Sequence, residues 1–328
     1  MSSRRGVQPL LIAAGFAVTA GCTYLAVRGV ALDDARAALA ASDLRWLLPA
    51  SVVLAFALWL RIVRWWVLFD PSSRPPLRAV GHAAFVGYFF NNILPARAGE
   101  AARVIALYGK ARTPRAETIG TVVIERVFDL LALLVLLFAC YPLLPEISWL
   151  RAAALLGIVL VAGVLVLVAV LVRYDERAVR WLLSPLRRLP GAGASERVEQ
   201  AVGNATRGLV ALREPRVALR GMALTLASWV VLGFSFWILT AALHLDVPVV
   251  AGMLVVVAIN LSLVLPSSPA ALGVFEAATV VALRAFDVPR AEALSYALVL
   301  HLLNLVPFLV IGAALLGPGA LRRGVRAG

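Results

Sequence analysis

The chain has 328 residues, 62% of them hydrophobic and 15% charged, a balance that excludes a water-soluble globule and points to an integral membrane protein. Its net charge of +13 would suit a polyanion, but in a chain of long apolar runs the Lys and Arg excess belongs to cytoplasmic loops, so nucleic acid is not expected as a partner. Cys22 and Cys140 have no spacing partner, which indicates neither a disulfide framework nor a metal site.

Residues 9–28 follow Arg4 and Arg5 and are long enough to span, since about 20 apolar residues at 1.5 Å each cover a hydrocarbon core of about 30 Å. Thr19 to Cys22 faintly resembles a lipoprotein cleavage site, but the apolar run continues past the Cys, so an uncleaved first helix is expected. Residues 31–43 form an amphipathic connector, and a second span covers 46–69. It ends in Arg61, Arg64, Trp65 and Trp66, which read as a cation and aromatic collar at the membrane interface.

Residues 79–94 are apolar until Asn91, Asn92, Pro95, Arg97 and Gly99 interrupt them, and 100–108 is a short amphipathic return. Backbone broken by Pro and Gly at membrane depth is tolerated only when buried in protein or lining a cavity, so the break predicts a re-entrant hairpin around an interior site. Spans follow at 118–141 and 152–172. Residues 173–220 then carry ten Arg and five acidic residues, the composition of a basic amphipathic segment on the cytoplasmic face. A span at 221–243, a second broken hairpin at 247–286 with Pro266, Ser267, Ser268 and Pro269 at its tip, and a last span at 292–316 complete the chain.

The two halves repeat one another. Glu100 is followed by Ala-Ala-Arg-Val-Ile-Ala-Leu and Glu276 by Ala-Ala-Thr-Val-Val-Ala-Leu, and both runs lead to Pro-Arg-Ala-Glu, at Pro114 to Glu117 and Pro289 to Glu292. Pro95 and Gly99 have the spacing of Pro269 and Gly273, Asn260 echoes Asn91 and Asn92, and the run from Ala50 to Trp59 resembles that from Ala227 to Trp237. Residues 46–141 and 221–316 are therefore expected as repeats 1 and 2 of a single membrane domain spanning 1–328. With both termini cytoplasmic, Lys and Arg concentrate on the cytoplasmic side, and the two hairpins open to opposite sides; arms that crossed fully would keep the same loops on the same sides, so this charge count fits six spans plus two hairpins and ten spans alike. The predicted fold is an all-α polytopic membrane protein built from an inverted-topology internal repeat with two broken re-entrant helical hairpins.

Charged side chains at membrane depth cost about 2.5–3.5 kcal/mol each on insertion scales and so mark candidate sites. Glu125 and Asp129 share a helix face, and Arg126 and Asp129 are spaced to pair. They suit an ion-paired gate beside a lipid headgroup, or a structural salt bridge. Aligned from Glu292, repeat 2 carries Leu300, His301 and Asn304 at these positions, so His301 is either a core histidine or a proton relay. Arg97 and Glu100 could hold a phosphate and its counter-charge at the start of the returning arm, while Glu100 and Glu276 could equally cap their own arms. Ser267 and Ser268 could bind a headgroup or satisfy broken backbone. The candidate substrate-binding residues are thus Asn91, Asn92, Arg97, Glu100, Glu125, Arg126, Asp129, Ser267, Ser268, Glu276, His301 and Asn304. No nucleotide loop, metal cluster or nucleophile with a base emerges, so neither enzyme chemistry nor a cofactor is expected.

The pattern Asn-x-x-x-Pro-x-Arg-x-Gly-Glu from Asn91 to Glu100, followed by Glu125-Arg126-x-x-Asp129 and later by Pro266 to Glu276, resembles the lysylphosphatidylglycerol synthase transmembrane region family of flippase-like membrane proteins. The resemblance runs from the second span to the last. In larger members this region is joined to a second membrane block and a cytosolic aminoacyl-transfer domain, neither of which is found here. It implies translocation of a polar, anionic lipid, of phospholipid or polyprenyl-phosphate type, between the leaflets of the cell membrane. A non-transporting scaffold for a membrane-bound lipid-modifying enzyme, docked on 173–220, is the alternative.

Overall fold

The computed structural model describes residues 18–24, 26–27, 32–94, 98–144, 155, 157–159, 162–163, 166, 214–263 and 268–325. The tip residues Pro95, Ala96 and Arg97, the tip residues Pro266 and Ser267, most of the span expected at 152–172 and residues 173–213 of the basic segment lie outside them. Among the described residues all regular structure is helical. After a helical stretch within 18–27 come α1 (Leu32–Ala40), α2 (Leu47–Val67), α3 (Leu77–Ile93), α4 (Gly99–Ala111), α5 (Arg115–Cys140), α6 (Pro215–Thr240), α7 (Val249–Ser262), α8 (Val274–Arg284) and α9 (Arg290–Val325).

Among the described residues, three stretches are long and apolar enough to cross a membrane, Leu44–Val67, Pro215–Leu243 and Arg290–Leu316. Helix α5, at 26 residues, has the length but carries Glu125, Arg126 and Asp129 in its middle. The surface matches this setting. On α2, Leu48, Val52, Phe56 and Trp59 are exposed, and on α9 Leu302, Val306 and Val310, apolar stripes that suit acyl chains rather than water.

The opposite stripe of α2 faces inward. Ala50, Leu54 and Ala57 are buried there, and the same helical period continues through Arg61 and Arg64 to Leu68. Helix α6 packs along this face in the broadest helix pair among the described residues, with Ser235 donating to the Ala50 carbonyl at 2.8 Å. Small residues at such an interface let helix backbones approach closely, which is what drives association where lipid offers no hydrophobic contrast. Elsewhere α5 packs on α6 and α7, and α9 packs on α1, α3 and α8.

Both interrupted segments are helix pairs around a break. Helices α3 and α4 pack against each other, as do α7 and α8. The first pair is closed by glycine: a Cβ on Gly99 would collide with the Gly87 carbonyl and the Asn91 side chain, and one on Gly87 would stand 3.0 Å from Arg103 Cβ. At the second break the one-turn helix Pro269–Ala271 packs against α3, so this tip meets the first pair. Gly273 has φ of +75° there and faces Thr19 and Thr23, which leaves no room for a side chain. The Ser268 amide donates to Thr19 Oγ1 at 3.1 Å, tying the tip to the first helix.

Candidate functional site

Glu125 and Asp129, one turn apart on α5, both turn toward the inner stripe of α2, where Arg64 spreads its fork between them. Its Nη2 donates to Glu125 Oε1 and its Nη1 to Asp129 Oδ1. This is the bidentate geometry that guanidinium offers and ammonium does not. The second Glu125 oxygen is taken by Arg103 of α4, whose Nη2 lies 2.7 Å from Oε2 and 2.8 Å from Glu100 Oε2. These side chains are closed to solvent: Arg64 is 1% exposed, Glu125 3% and Arg103 4%.

Aromatic rings wall the cluster. Arg103 lies over the Trp65 ring, 4.6 Å from its centroid, and Trp65 Nε1 donates to Thr121 Oγ1 at 3.0 Å. Trp229 of α6 donates Nε1–H to Asp129 Oδ1 at 3.2 Å, while its face carries Arg61 at 4.1 Å. Each ring therefore covers one guanidinium and hydrogen-bonds to α5. The cluster ties α2, α4, α5 and α6 together.

Arg126 forms the open side. Its side chain is 43% exposed, and its Nη2 stands 3.4 Å from Asp129 Oδ2, 3.6 Å from Glu100 Oε1 and 3.8 Å from Glu125 Oε1. Those are attractive distances without a short hydrogen bond among them. A ligand oxygen could reach Arg126 without dismantling the inner pairs.

The structure thus brings Glu100, Glu125, Arg126 and Asp129 together, and Arg126 pairs with Asp129 along the helix as their spacing predicts. Glu100 turns to Arg103 and Arg126 rather than capping its own arm; that task falls to Asn91, whose Oδ1 accepts the Gly99 N–H at 2.9 Å. Asn92 donates back to the Tyr88 carbonyl at 2.9 Å, and Asn304 likewise to Leu300 at 2.9 Å, so neither side-chain amide N–H is committed to the cluster. Arg97 and Ser267 lie outside the described residues. Ser268 Oγ donates to the Pro269 carbonyl at 3.3 Å, and the hydroxyl satisfies the broken backbone.

In the second half, Glu276 does cap its own arm, accepting the Gly273 N–H at 2.7 Å, and its other oxygen lies 2.6 Å from His301 Nδ1. His301 is stacked on Phe275 with ring centroids 4.4 Å apart. It is a paired, buried histidine away from the arginine cluster.

The collar expected at the end of α2 is corrected. Arg64 and Trp65 are buried, because the helical period turns them onto the inner stripe; Trp66 is partly buried, with the Arg74 guanidinium 4.4 Å above its indole and its Nε1 donating to the Pro75 carbonyl. Arg61, Arg64, Arg103 and Trp229 are therefore site residues that the sequence patterning alone did not single out. The signal for the two α2 arginines was present in the spacing 50, 54, 57, 61, 64 and 68.

Comparison with known proteins agrees with this membrane architecture. The family description "Lysylphosphatidylglycerol synthase TM region" matches residues 12–312. The chain is also 24% identical over 235 residues to a UPF0104 membrane protein of Methanocaldococcus jannaschii, covering 69% of this chain and 92% of that protein. The matched description is that of the membrane region of the synthases. Spanning 12–312, the match covers both halves of the helical domain and its buried arginine cluster, and the chain belongs to the lysylphosphatidylglycerol synthase transmembrane region family.

Proposed function

We propose that the protein translocates a polar, anionic lipid, of phospholipid or polyprenyl-phosphate type, between leaflets. The observation that carries this reading is the two-layered cluster on α5: a closed inner set of Arg64, Arg103 and Glu125, and an open outer set in which Arg126 and Glu100 remain half-satisfied. Purely structural ion pairs have no need of an exposed outer layer at membrane depth. Family membership supports the same class of activity.

An inverted repeat would supply the alternating access such transport needs. Three contact relations support it: α2 packs on its sequence counterpart α6, α5 packs on α7, and α9 packs on α3. Contacts related in this reciprocal way are what a pseudo-two-fold produces. The Lys and Arg asymmetry of the sequence favours an axis in the membrane plane, with both termini in the cytoplasm.

The closure of the inner pairs favours one alternative, a non-transporting scaffold for a lipid-modifying enzyme. A leaflet-sidedness assay in proteoliposomes carrying fluorescent anionic phospholipid, polyprenyl phosphate or phosphatidylcholine separates the two. Protein-dependent movement of an anionic lipid is expected; movement no faster than in protein-free vesicles for every lipid would leave the scaffold.

A further inference from the structure

The cluster holds one more cation than it can neutralise. Arg61, Arg64, Arg103 and Arg126 face Glu100, Glu125 and Asp129, a formal excess of one positive charge among the described residues. Arg64 and Arg103 each stand within ion-pair distance of two of the three carboxylates, although Arg64 Nε and Arg103 Nε and Nη2 make no hydrogen bond. The excess falls on Arg61 and Arg126.

Arg61 has no carboxylate partner among the described residues. Its Nε and Nη2 are buried without a hydrogen bond, and its close contact is the face of Trp229. A cation–π contact contributes about 0.5–2 kcal/mol, while withdrawing an ion from water costs several. Arg126 Nε is likewise buried and unbonded. Asp129 lies between the two arginines: Oδ1 accepts from Trp229, under Arg61, and Oδ2 faces Arg126. Asp129 attracts Arg61 electrostatically, and Arg126 repels it more weakly.

We infer that Arg61, held on Trp229, and Arg126 form a binding site for one singly charged phosphodiester, the headgroup phosphate of an anionic lipid. One negative charge brings the cluster of described residues to neutrality. A phosphomonoester would overshoot, and a phosphocholine would bring its own cation against Arg61. Unbonded guanidinium N–H groups on two sides of Asp129, with the exposed Arg126 side chain as the point of entry, suit non-bridging phosphate oxygens, which accept forked hydrogen bonds. The inference rests on the lipid reading above and names its substrate charge and its second arginine.

The test measures binding by thermal shift of the full-length protein in detergent, titrated with phosphatidylglycerol, phosphatidylcholine, phosphatidic acid or inorganic phosphate. Saturable stabilisation by phosphatidylglycerol is expected, stronger than with the other three. Arg61→Gln should weaken that binding about tenfold or more, because charge-assisted hydrogen bonds are lost. In the lipid-free protein the same change should raise Tm, since it removes an unpaired buried charge; a merely structural arginine would lower it. Arg61→Lys should bind at an intermediate level, and Arg74→Gln, outside the cluster on the Trp66 ring, should bind as wild type. Unchanged phosphatidylglycerol binding in Arg61→Gln, equal binding of phosphatidylcholine, or occupancy by inorganic phosphate alone would each overturn the assignment. Translocation is scored separately: specific binding without lipid movement defeats the transport reading and leaves the site, while movement without Arg61-dependent binding does the reverse.

Discussion

His301 Nδ1 stands 2.6 Å from Glu276 Oε1, and in the first half Arg126 Nη2 faces Glu100 Oε1 at 3.6 Å. In both halves the acid that opens the arm after the break reaches the base in the middle of the next long helix. The repeat alignment pairs these same positions. The two copies differ in chemistry: a guanidinium stays charged, whereas an imidazole can be neutral and still hydrogen-bond. The second half thus keeps the contact while dispensing with a permanent cation.

If the Glu276–His301 contact holds the second tip, His301→Leu should leave the carboxylate with the Gly273 amide alone and lower stability by about 1–3 kcal/mol. His301→Gln, which still presents a donor, should recover part of that loss. Thermal unfolding in detergent measures both, and identical midpoints for wild type and His301→Leu would deny the contact any role.

The glycine contact at the first break makes a steric prediction. Gly99→Ala places a methyl against the Gly87 carbonyl and displaces the Asn91 cap, so α3 and α4 must separate. The expected cost is about 1–3 kcal/mol from overpacking, plus about 1 kcal/mol for the lost cap. Gly109→Ala, where a Cβ meets nothing within 4 Å, is the matched control and should be neutral or stabilising. Equal stability of the two variants would contradict the close approach.

How much of this was legible depended on the range of the contact. The breaks at Pro95 to Gly99 and Pro266 to Gly273, and the Arg126–Asp129 pair, are local signals and could be read from spacing. Arg64 was misassigned because Arg beside Trp near a helix end is also the signature of an interface. Only its register with Ala50, Leu54 and Ala57 separates the two meanings. Trp229 gave no local signal: its partner Asp129 lies 100 residues away, and indole in an apolar run looks like core or lipid contact until α6 is packed. Arg103 sat one turn beyond Glu100, where a solvated helix face was the simpler expectation.

The proposed re-entrant geometry makes a prediction about the tips. Pro269–Ala271 packs on α3, which brings the second break to the first pair. Cysteines at Ala96 and Ala270 should therefore form a cross-link under mild oxidation in the membrane. Free labelling of both positions from opposite aqueous faces would mean that the arms span.

The two layers of the cluster predict opposite outcomes for neighbouring arginines. Arg64→Gln removes the fork that holds both Glu125 and Asp129, and breaking a buried pair from one side costs about 3–5 kcal/mol, enough to lose the folded protein. Arg126→Gln leaves every one of those bonds in place, with Glu125 still held by Arg64 and Arg103. Because Arg126 is 43% exposed and its contacts are long, its loss should cost less than about 1 kcal/mol of stability. Its loss should nevertheless slow anionic lipid movement about tenfold or more, since a phosphate loses its most accessible guanidinium. The measurement is translocation in proteoliposomes, made on protein whose monodispersity and unfolding midpoint match wild type. Unchanged translocation in well-folded Arg126→Gln would strip the outer layer of its role and leave the cluster as a structural clamp joining α2, α4, α5 and α6.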